Sequence, residues 1–243
     1  MHNQSVKACE DGIIRPRLFL GENVPLHFIK ALESLGCEVR LLPPCESLPM
    51  PVSTHADMLL CEHLGTLFLP LDYYQKNAEL FSKVNVAPLN GSLMPSYPWD
   101  VRLNALIMAD MIVGRTDVIF KEVLDRFEKR VFVKQGYAAC STLVISDSAA
   151  VTADKSIANA LEANGVDVCM ISSGHIALEG YSYGFIGGAG VRVFDDLIAF
   201  FGDLDAHPDG EKIAAFAQKH KVGVISLSKD PLTDYGGGKR IIL

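Results

Sequence analysis

The sequence predicts an α/β fold in which five similar units form a closed ring. Three observations predict it: the order helix, strand, hairpin recurs along the chain, the recurrences are regularly spaced, and the two terminal strands lack hairpin partners. The loops that lead into the hairpins carry Asp57, Asp100, Cys140, Tyr183 and Tyr235, at spacings of 43, 40, 43 and 52 residues. A period of this length is typical of units that bury their apolar faces only by stacking on neighbours.

Apolar periodicity and the positions of Gly and Pro predict the elements of the first half of the chain. A helix starts near Pro25, a residue favoured in a first helical turn, and stops at Gly36, a residue favoured just after a helix. In chain order we predict a strand at 17–21, this helix, a strand at 39–42, a hairpin at 55–61 and 66–69, a helix at 72–83, a strand at 84–88, a hairpin within 99–113, a helix at 117–129 and a strand at 131–133.

The same signals continue through the second half, where Ser146-Asp147-Ser148 forms a polar turn between two apolar strands. We predict a hairpin at 142–145 and 149–152, a helix at 156–164, a strand at 166–171, a hairpin that begins at 181–190, returns through 191–194 and is extended by 197–201, an insertion around 199–208, a helix at 211–220, a strand at 222–227 and a last strand at 239–243.

The terminal strands predict how the ring closes. The strand at 239–243 ends the chain without a hairpin partner, and the strand at 17–20 also lacks one. Their pairing would close the ring and remove an exposed edge strand. The alternative is an open α/β sheet, which predicts single strands between helices, whereas the sequence has about three strands per helix. We therefore expect one domain over residues 15–243, preceded by a loose arm at 1–14.

The amino-acid composition is that of an ordinary folded protein and argues against nucleic-acid-binding and membrane-spanning proteins. The chain has 243 residues, of which 49% are hydrophobic and 21% charged, as in an ordinary folded protein. The net charge of −7 argues against a broad nucleic-acid-binding face. No apolar run approaches the roughly 20 residues that cross a bilayer, and the N-terminus has no apolar signal core. We expect a cytoplasmic protein with no membrane partner.

Six scattered cysteines are present without a C-x-x-C pair, which favours reduced thiols over disulfides and argues against structural zinc. We expect neither a metal nor a cofactor. Three of the cysteines, Cys37, Cys61 and Cys169, lie within apolar segments and are predicted to belong to the core. Cys140 differs from them, because it lies before a hairpin with polar neighbours on both sides.

Four motifs resemble an uncharacterised clostridial family of the pentein fold, the DUF6873 domain, over about 17–243. They are His55-Ala-Asp-Met, Tyr97-Pro-Trp-Asp-Val with Asn104, Lys134-Gln-Gly-Tyr followed by Cys140-Ser141, and Gly180-Tyr-Ser-Tyr-Gly-Phe-Ile-Gly-Gly. The pentein fold has five units around a pseudo-fivefold axis. It holds the guanidine-group-modifying enzymes (arginine and agmatine deiminases, dimethylarginine hydrolases, amidinotransferases) and the non-enzymatic ribosome anti-association factor, initiation factor six.

This resemblance implies a site on the axis of the ring. In the enzymes a Cys nucleophile attacks a guanidinium carbon, a His moves protons and two carboxylates hold the cationic group. The chain departs from that arrangement, since the enzymes carry the Cys in the last unit. Here the last unit reads Asp234-Tyr-Gly-Gly-Gly-Lys-Arg, and no cysteine follows Cys169. The Lys and Arg would repel a cationic substrate at that position.

Three residues are the candidates for catalysis. Cys140 is a candidate nucleophile, although a free Cys is often a small buried hydrophobe. His55 is a candidate general base, although its imidazole could instead bond a backbone carbonyl. Asp57 lies two residues after His55, as in the His-x-Asp of these enzymes, and it could equally bond backbone N–H groups in its own loop.

The candidate binding residues lie in the same set of loops. Asp57 and Asp100 occupy equivalent places in two units, so they could point at the axis and form a carboxylate pair, or each could bond backbone N–H groups at the start of its own hairpin. The remaining predicted binding residues are Asn104, Lys134, Tyr137, Tyr181, Tyr183 and Asp234. The glycines of the segment 184–190 lack the spacing of a phosphate-binding loop, and a hairpin turn that needs positive φ is the favoured explanation for them.

Two functional hypotheses follow, and the sequence does not choose between them. The first is a hydrolase- or transferase-type enzyme acting on a small polar molecule, amidino- or amide-containing, at the axial pocket. The second is a non-catalytic binding module that resembles initiation factor six and binds a small ligand or a protein partner. The third hypothesis is a purely structural or oligomerisation domain. No feature of the sequence specifies the oligomeric state.

Overall fold

The computed structural model describes residues 15–242, so the predicted arm at 1–14 and the last residue lie outside the described residues. It contains five three-stranded sheets. The strands are β1 (Pro16–Gly21), β2 (Glu38–Leu42), β3 (Cys61–His63), β4 (Thr66–Pro70), β5 (Asn85–Leu89), β6 (Leu106–Met108), β7 (Met111–Gly114), β8 (Lys129–Phe132), β9 (Thr142–Ser146), β10 (Ala149–Thr152), β11 (Asp167–Met170), β12 (Gly190–Phe194), β13 (Leu197–Phe200), β14 (Gly223–Ser226) and β15 (Lys239–Ile242).

Within residues 15–242, six helices lie between the strands. They are α1 (Leu26–Ser34), α2 (Ala56–Leu59), α3 (Leu71–Lys76), α4 (Lys121–Leu124), α5 (Lys155–Glu162) and α6 (Gly210–Lys219). Three short 3₁₀ turns add to them, at Met50–Val52, Ala78–Phe81 and Leu204–Ala206. In the part of the chain that is described, no helix has both the length and the apolar character needed to cross a membrane.

The five sheets share one topology. In each, an antiparallel pair is extended by a third strand that runs parallel to the second and follows it after a helical segment, as in β3, β4 and β5. The sheet that joins the termini is built the same way: β15 pairs antiparallel with β1, with Arg17 opposite Ile241, and β1 pairs parallel with β2. The predicted pairing of the terminal strands is therefore confirmed.

Neighbouring sheets share their hydrophobic core. One buried cluster combines β6 and β7 with β9 and β10, a second combines the sheets of β10 and β13, and a third combines the sheets of β1 and β12. The largest cluster extends across the sheets of β1, β4 and β7. This arrangement agrees with the expectation that each unit buries its apolar face on its neighbours. Cys37, Cys61 and Cys169 are buried in these clusters, as predicted.

Local sequence explains the long helices. α1 follows Pro25, buries Phe28, Ile29 and Leu32, and is followed by Gly36 at φ +92°. That left-handed conformation is common just after a helix and is the reason for glycine there. α5 begins after Asp154, whose carboxylate accepts hydrogen bonds from the N–H groups of two first-turn residues, a standard N-cap.

Two predicted helices are shorter in the structure. The helix expected at 72–83 ends at Lys76, because Asn77 turns its side-chain amide back to the carbonyl of Tyr73 and the chain continues as a 3₁₀ turn. The helix expected at 117–129 is reduced to α4, because the N–H of Phe120 bonds the carbonyl of Arg102 in another segment. In both places a tertiary or side-chain hydrogen bond replaces the next helical bond.

Three predicted hairpin segments also differ. The segment expected as a strand at 55–61 begins with α2, and only Cys61 to His63 is extended. The strand predicted as a return, 191–194, is the first strand of its hairpin, and 197–200 is the return. The insertion begins after β13, since Ala199 lies within that strand. Apolar runs alone could not distinguish a strand from a buried turn at these places.

Candidate functional site

Backbone and side-chain hydrogen bonds link the five hairpin-leading loops into a closed cycle, which we call the axial ring. Each bond joins one sheet to the next. The N–H of Asp57 donates to Gly236 O (3.2 Å), and Asn104 Nδ2 donates to Asp57 O (3.2 Å). The N–H of Cys140 donates to Asn104 Oδ1 (3.2 Å), and the N–H of Gly187 donates to Cys140 O (2.8 Å). The N–H of Gly237 donates to Gly188 O (2.8 Å), which completes the cycle. The ring places Asp57, Asn104 and Cys140 together.

The thiol of Cys140 lies at the centre of this cluster. Cys140 Sγ donates to Asp57 Oδ2 over 2.8 Å and accepts from Asn104 Nδ2 over 2.9 Å. Burial raises the pKa of Cys140, and the charges of Asp57 and Asp234 raise it further. The resting state is therefore a protonated thiol bonded to a carboxylate, because a thiolate beside two carboxylates in a buried site is unfavourable.

Two carboxylates and an imidazole surround the thiol. Burial raises the pKa of Asp57 to about 6. Burial also raises the pKa of Asp234 to about 7, and the negative charge of Asp57 contributes to this increase. His55 Nδ1 lies 3.9 Å from Asp234 Oδ1, and burial lowers the pKa of His55 to about 4. The imidazole is therefore neutral near pH 7, and its Nε2 has no hydrogen-bond partner among residues 15–242.

The thiol, the imidazole and Asp234 border a cavity of about 230 Å³, which we call the front cavity. Aromatic side chains form much of its wall. The lining residues are Val52, His55, Met58, Tyr137, Cys140, Leu178, Tyr181, Ser182, Tyr183, Phe185 and Asp234. A small ligand here would meet polar groups at the ring and aromatic faces elsewhere, a typical combination for a binding pocket.

Not every predicted residue reaches the site. Asp100 is buried, does not line the front cavity and accepts a hydrogen bond from Tyr137 (2.7 Å), so its pairing with Asp57 stays a prediction. Asn104 takes the ring position expected for Asp100, and Asp234 is the second carboxylate. Lys134 is exposed and does not line the front cavity; its carbonyl accepts a bond from Tyr97.

The segment 184–190 requires glycine for a different reason from the one predicted. None of its glycines has a positive φ. A Cβ at Gly188 would overlap the carboxylate of Asp234, and a Cβ at Gly187 would overlap backbone carbonyl oxygens, including that of Cys140. Close approach therefore requires glycine here. Gly236, at φ +77°, packs in the same way against His55, and sequence reasoning missed the role of these glycines.

The buried groups predict a pH dependence of stability. An Asp with a raised folded-state pKa binds more protons folded than unfolded, so Asp234 makes stability fall as pH rises from about 4 to about 7. His55, with its lowered pKa, has the opposite effect between about 4 and 6.5. Above pH 6.5 only the Asp234 contribution of the two remains.

We therefore expect Asp234→Asn to remove part of the fall in melting temperature between pH 6.5 and pH 8. Thermal denaturation followed by circular dichroism at these pH values measures it. Asp205→Asn, on the surface, is the control and should keep the wild-type pH dependence. An unchanged slope in Asp234→Asn would contradict the assignment.

Comparison with solved structures identifies the class of fold. DDAH from Pseudomonas aeruginosa, in a Cys-to-Ser variant complexed with citrulline, superposes with a TM-score of 0.58 at 9% identity, covering 96% of this chain and 100% of that chain. ArgZ, an arginine dihydrolase from the ornithine-ammonia cycle in cyanobacteria, superposes with a TM-score of 0.53 at 12% identity, covering 90% of this chain and 37% of that one. The chain thus has a pentein-type propeller fold.

A sequence comparison identifies the family. Residues 19–238 match the family of unknown function DUF6873, and the chain belongs to that family. No curated protein sequence matches the chain. The resemblance stated from the sequence motifs is confirmed, and because a fold does not specify a reaction, the function rests on the site itself.

Proposed function

We propose that the protein is a hydrolase- or transferase-type enzyme that binds a small amidino-containing cation in the front cavity, with Cys140 as nucleophile. One observation carries the proposal: the buried thiol of Cys140 lies in the wall of an aromatic-lined cavity and is hydrogen-bonded to Asp57. The charge of Asp234 raises the pKa of this thiol further. The fold neighbours DDAH and ArgZ support the substrate class by analogy.

A cation is the complement of the two carboxylates: Asp234 lines the front cavity, and Asp57 lies behind the thiol and is hydrogen-bonded to it. The pKa values of Asp57 and Asp234 are raised because each lacks solvent and Asp57 is close enough to repel Asp234. A planar amidino group would lower both pKa values and that of the thiol. The nucleophile is then generated only when substrate is bound.

From the sequence we expected Lys239 and Arg240 in the last unit to repel a cationic substrate. Neither residue lines the front cavity. Arg240 forms an ion pair with Asp195, at 2.5 Å, and Lys239 lines a cavity on the other side of the axial ring. The guanidine-group-modifying enzymes carry the nucleophilic Cys in the last unit, whereas here Cys140 of another unit would take that role.

The proposed chemistry has two steps. The thiol proton moves to Asp57, the Sγ–C bond forms at the amidino carbon, and the C–N bond breaks as the leaving nitrogen takes that proton. Water then adds to the sulfur-bound carbon, and His55 Nε2 accepts its proton. The C–S bond breaks and the proton returns to the thiolate. In a transferase, an amine replaces the water.

The test is turnover with a panel of small amidines and amides, measured as release of ammonia or amine. Cys140→Ser should abolish turnover, and Cys169→Ser, a buried cysteine away from the cavity, should retain it. Asp234→Asn should raise KM at least tenfold, because a charge-assisted contact to the cation is lost. Turnover that persists in Cys140→Ser would contradict the role of the thiol.

A second candidate, a non-catalytic binding module, is favoured by the raised pKa of Cys140, since a protonated thiol is a poor nucleophile. It predicts saturable binding of amidines, lost in Asp234→Asn, with no turnover and no change in Cys140→Ser. Calorimetric titration of the same panel distinguishes it from the enzyme. Absence of both binding and turnover would contradict both candidates.

A further inference from the structure

A second cavity, which we call the rear cavity, lies on the opposite side of the axial ring. Its volume is about 200 Å³ and it shares no lining residue with the front cavity. Two ring residues separate the two cavities: Asp57 lines the rear one and bonds Cys140, and Gly236 lines the rear one and packs against His55. The rear cavity is therefore a distinct space with its own polar groups.

Its two cationic side chains, Lys239 and Arg192, form no ion pair within residues 15–242. Lys239 lies on the same face of β15 as Ile241, because side chains alternate along a strand, and Ile241 is buried in the core. Within residues 15–242, Lys239 Nζ forms no ion pair or hydrogen bond. Arg192 also lines the cavity; in the described chain its guanidinium donates to the carbonyls of 144, 145 and 195 and forms no ion pair, although the charges of Asp147 and Asp195 act on it.

Two buried oxygens of the wall also lack partners. Asp57 is 4% exposed and its Oδ1 has no hydrogen bond in the described residues, and Thr142 is 3% exposed with an equally unpaired Oγ1. Buried polar atoms are normally paired, so these two oxygens are candidates for a hydrogen bond with a polar molecule in the cavity. Glu62 completes the charged lining. The wall thus offers cationic donors on one part and carboxylate acceptors on another.

We propose that the rear cavity binds a small α-amino or α-hydroxy acid. Lys239 and Arg192 pair with its carboxylate, Thr142 bonds the same group, and Asp57 Oδ1 accepts from its amino or hydroxyl group. A simple anion would leave Asp57 Oδ1 without a donor, and a simple amine would leave Lys239 without an anion. The volume holds a molecule of a few heavy atoms.

The experiment titrates the full chain with L-alanine and L-lactate, with propionate and ethylamine as the two half-molecules, and follows binding by NMR chemical shifts. At least one of the bifunctional acids should bind at least tenfold more tightly than either half. Lys239→Met should weaken that binding at least tenfold, and Thr142→Val should weaken it severalfold. Lys239→Arg and Thr142→Ser, which keep the charge and the hydroxyl, should bind like wild type.

Matched variants locate the site and guard against misfolding. Lys129→Met changes an exposed lysine on β8 and should not alter binding. Tyr183→Ala changes the front cavity and should not alter binding of the acids either. Loss of binding in Tyr183→Ala, equal binding in Lys239→Met, or no binding of any acid at tens of millimolar would overturn the proposal. None of these outcomes depends on turnover at the front cavity.

Discussion

Gly188→Ala is expected to lower the free energy of unfolding by roughly 2 to 4 kcal/mol, one of the two largest effects predicted for this protein. The added methyl group would overlap the carboxylate of Asp234, which is fixed by hydrogen bonds from the N–H groups of Phe185 (2.9 Å) and Gly236 (2.8 Å). Neither partner can move without breaking these bonds. Urea denaturation of the wild type and the variant measures the loss.

A double-mutant cycle tests the stated cause. Asp234→Ala removes the atoms that the new methyl group would meet, so Gly188→Ala should be much less destabilising in the Asp234→Ala background. The control is Gly223→Ala on β14, where an added Cβ meets its nearest neighbour at an ordinary 3.5 Å. Strictly additive effects at 188 and 234 would show that the carboxylate is not the obstacle.

Asp57→Asn is expected to increase the alkylation rate of Cys140 at pH 8 about tenfold or more. The charge of Asp57 is the largest contribution to the raised pKa of this thiol after burial, and an amide in its place keeps a hydrogen-bonding group without the charge. Each unit by which the pKa falls toward the working pH increases the thiolate population about tenfold. In the wild type Cys140 should react slowly with iodoacetamide.

Peptide mass spectrometry reads each cysteine separately, including Cys9, which lies outside the described residues. Asp100→Asn is the matched control, since Asp100 bonds Tyr137 and not the thiol. It should leave the rate at Cys140 unchanged. A fast wild-type reaction with a low apparent pKa, or an unchanged rate in Asp57→Asn, would refute the protonated resting thiol.

The fold was largely predictable from the sequence because it rests on local signals that repeat. Hairpins such as 142–152 are marked by alternating apolar runs around a polar turn, and the long helices by Asp154 or Gly36 at their ends. The unpartnered strands at the two termini specified the closure of the ring. Element ends were less predictable where a distant carbonyl or a side-chain amide replaced a helical bond, as at Phe120 and Asn77.

The site was predictable only in part. The hairpin-leading loops identified His55, Asp57, Cys140 and Asp234 as candidates, because polar residues in equivalent loops of a ring converge on its axis. The hydrogen-bond partners within that group were not predictable: Asp57 bonds Cys140 and its charge acts on Asp234, whereas Asp100 bonds Tyr137. Side-chain direction within an irregular loop depends on contacts that no local pattern encodes.

Periodicity, caps and turns are properties of neighbouring residues, and they encode the five-unit ring, its closure and the set of loops that carry the polar residues. Three features are visible in the folded protein alone: the pKa of the buried Cys140 thiol is raised, a Cβ at Gly188 would overlap the carboxylate of Asp234, and two separate cavities adjoin the axial ring. These features depend on burial and on distances between groups tens of residues apart, which only the assembled ring specifies.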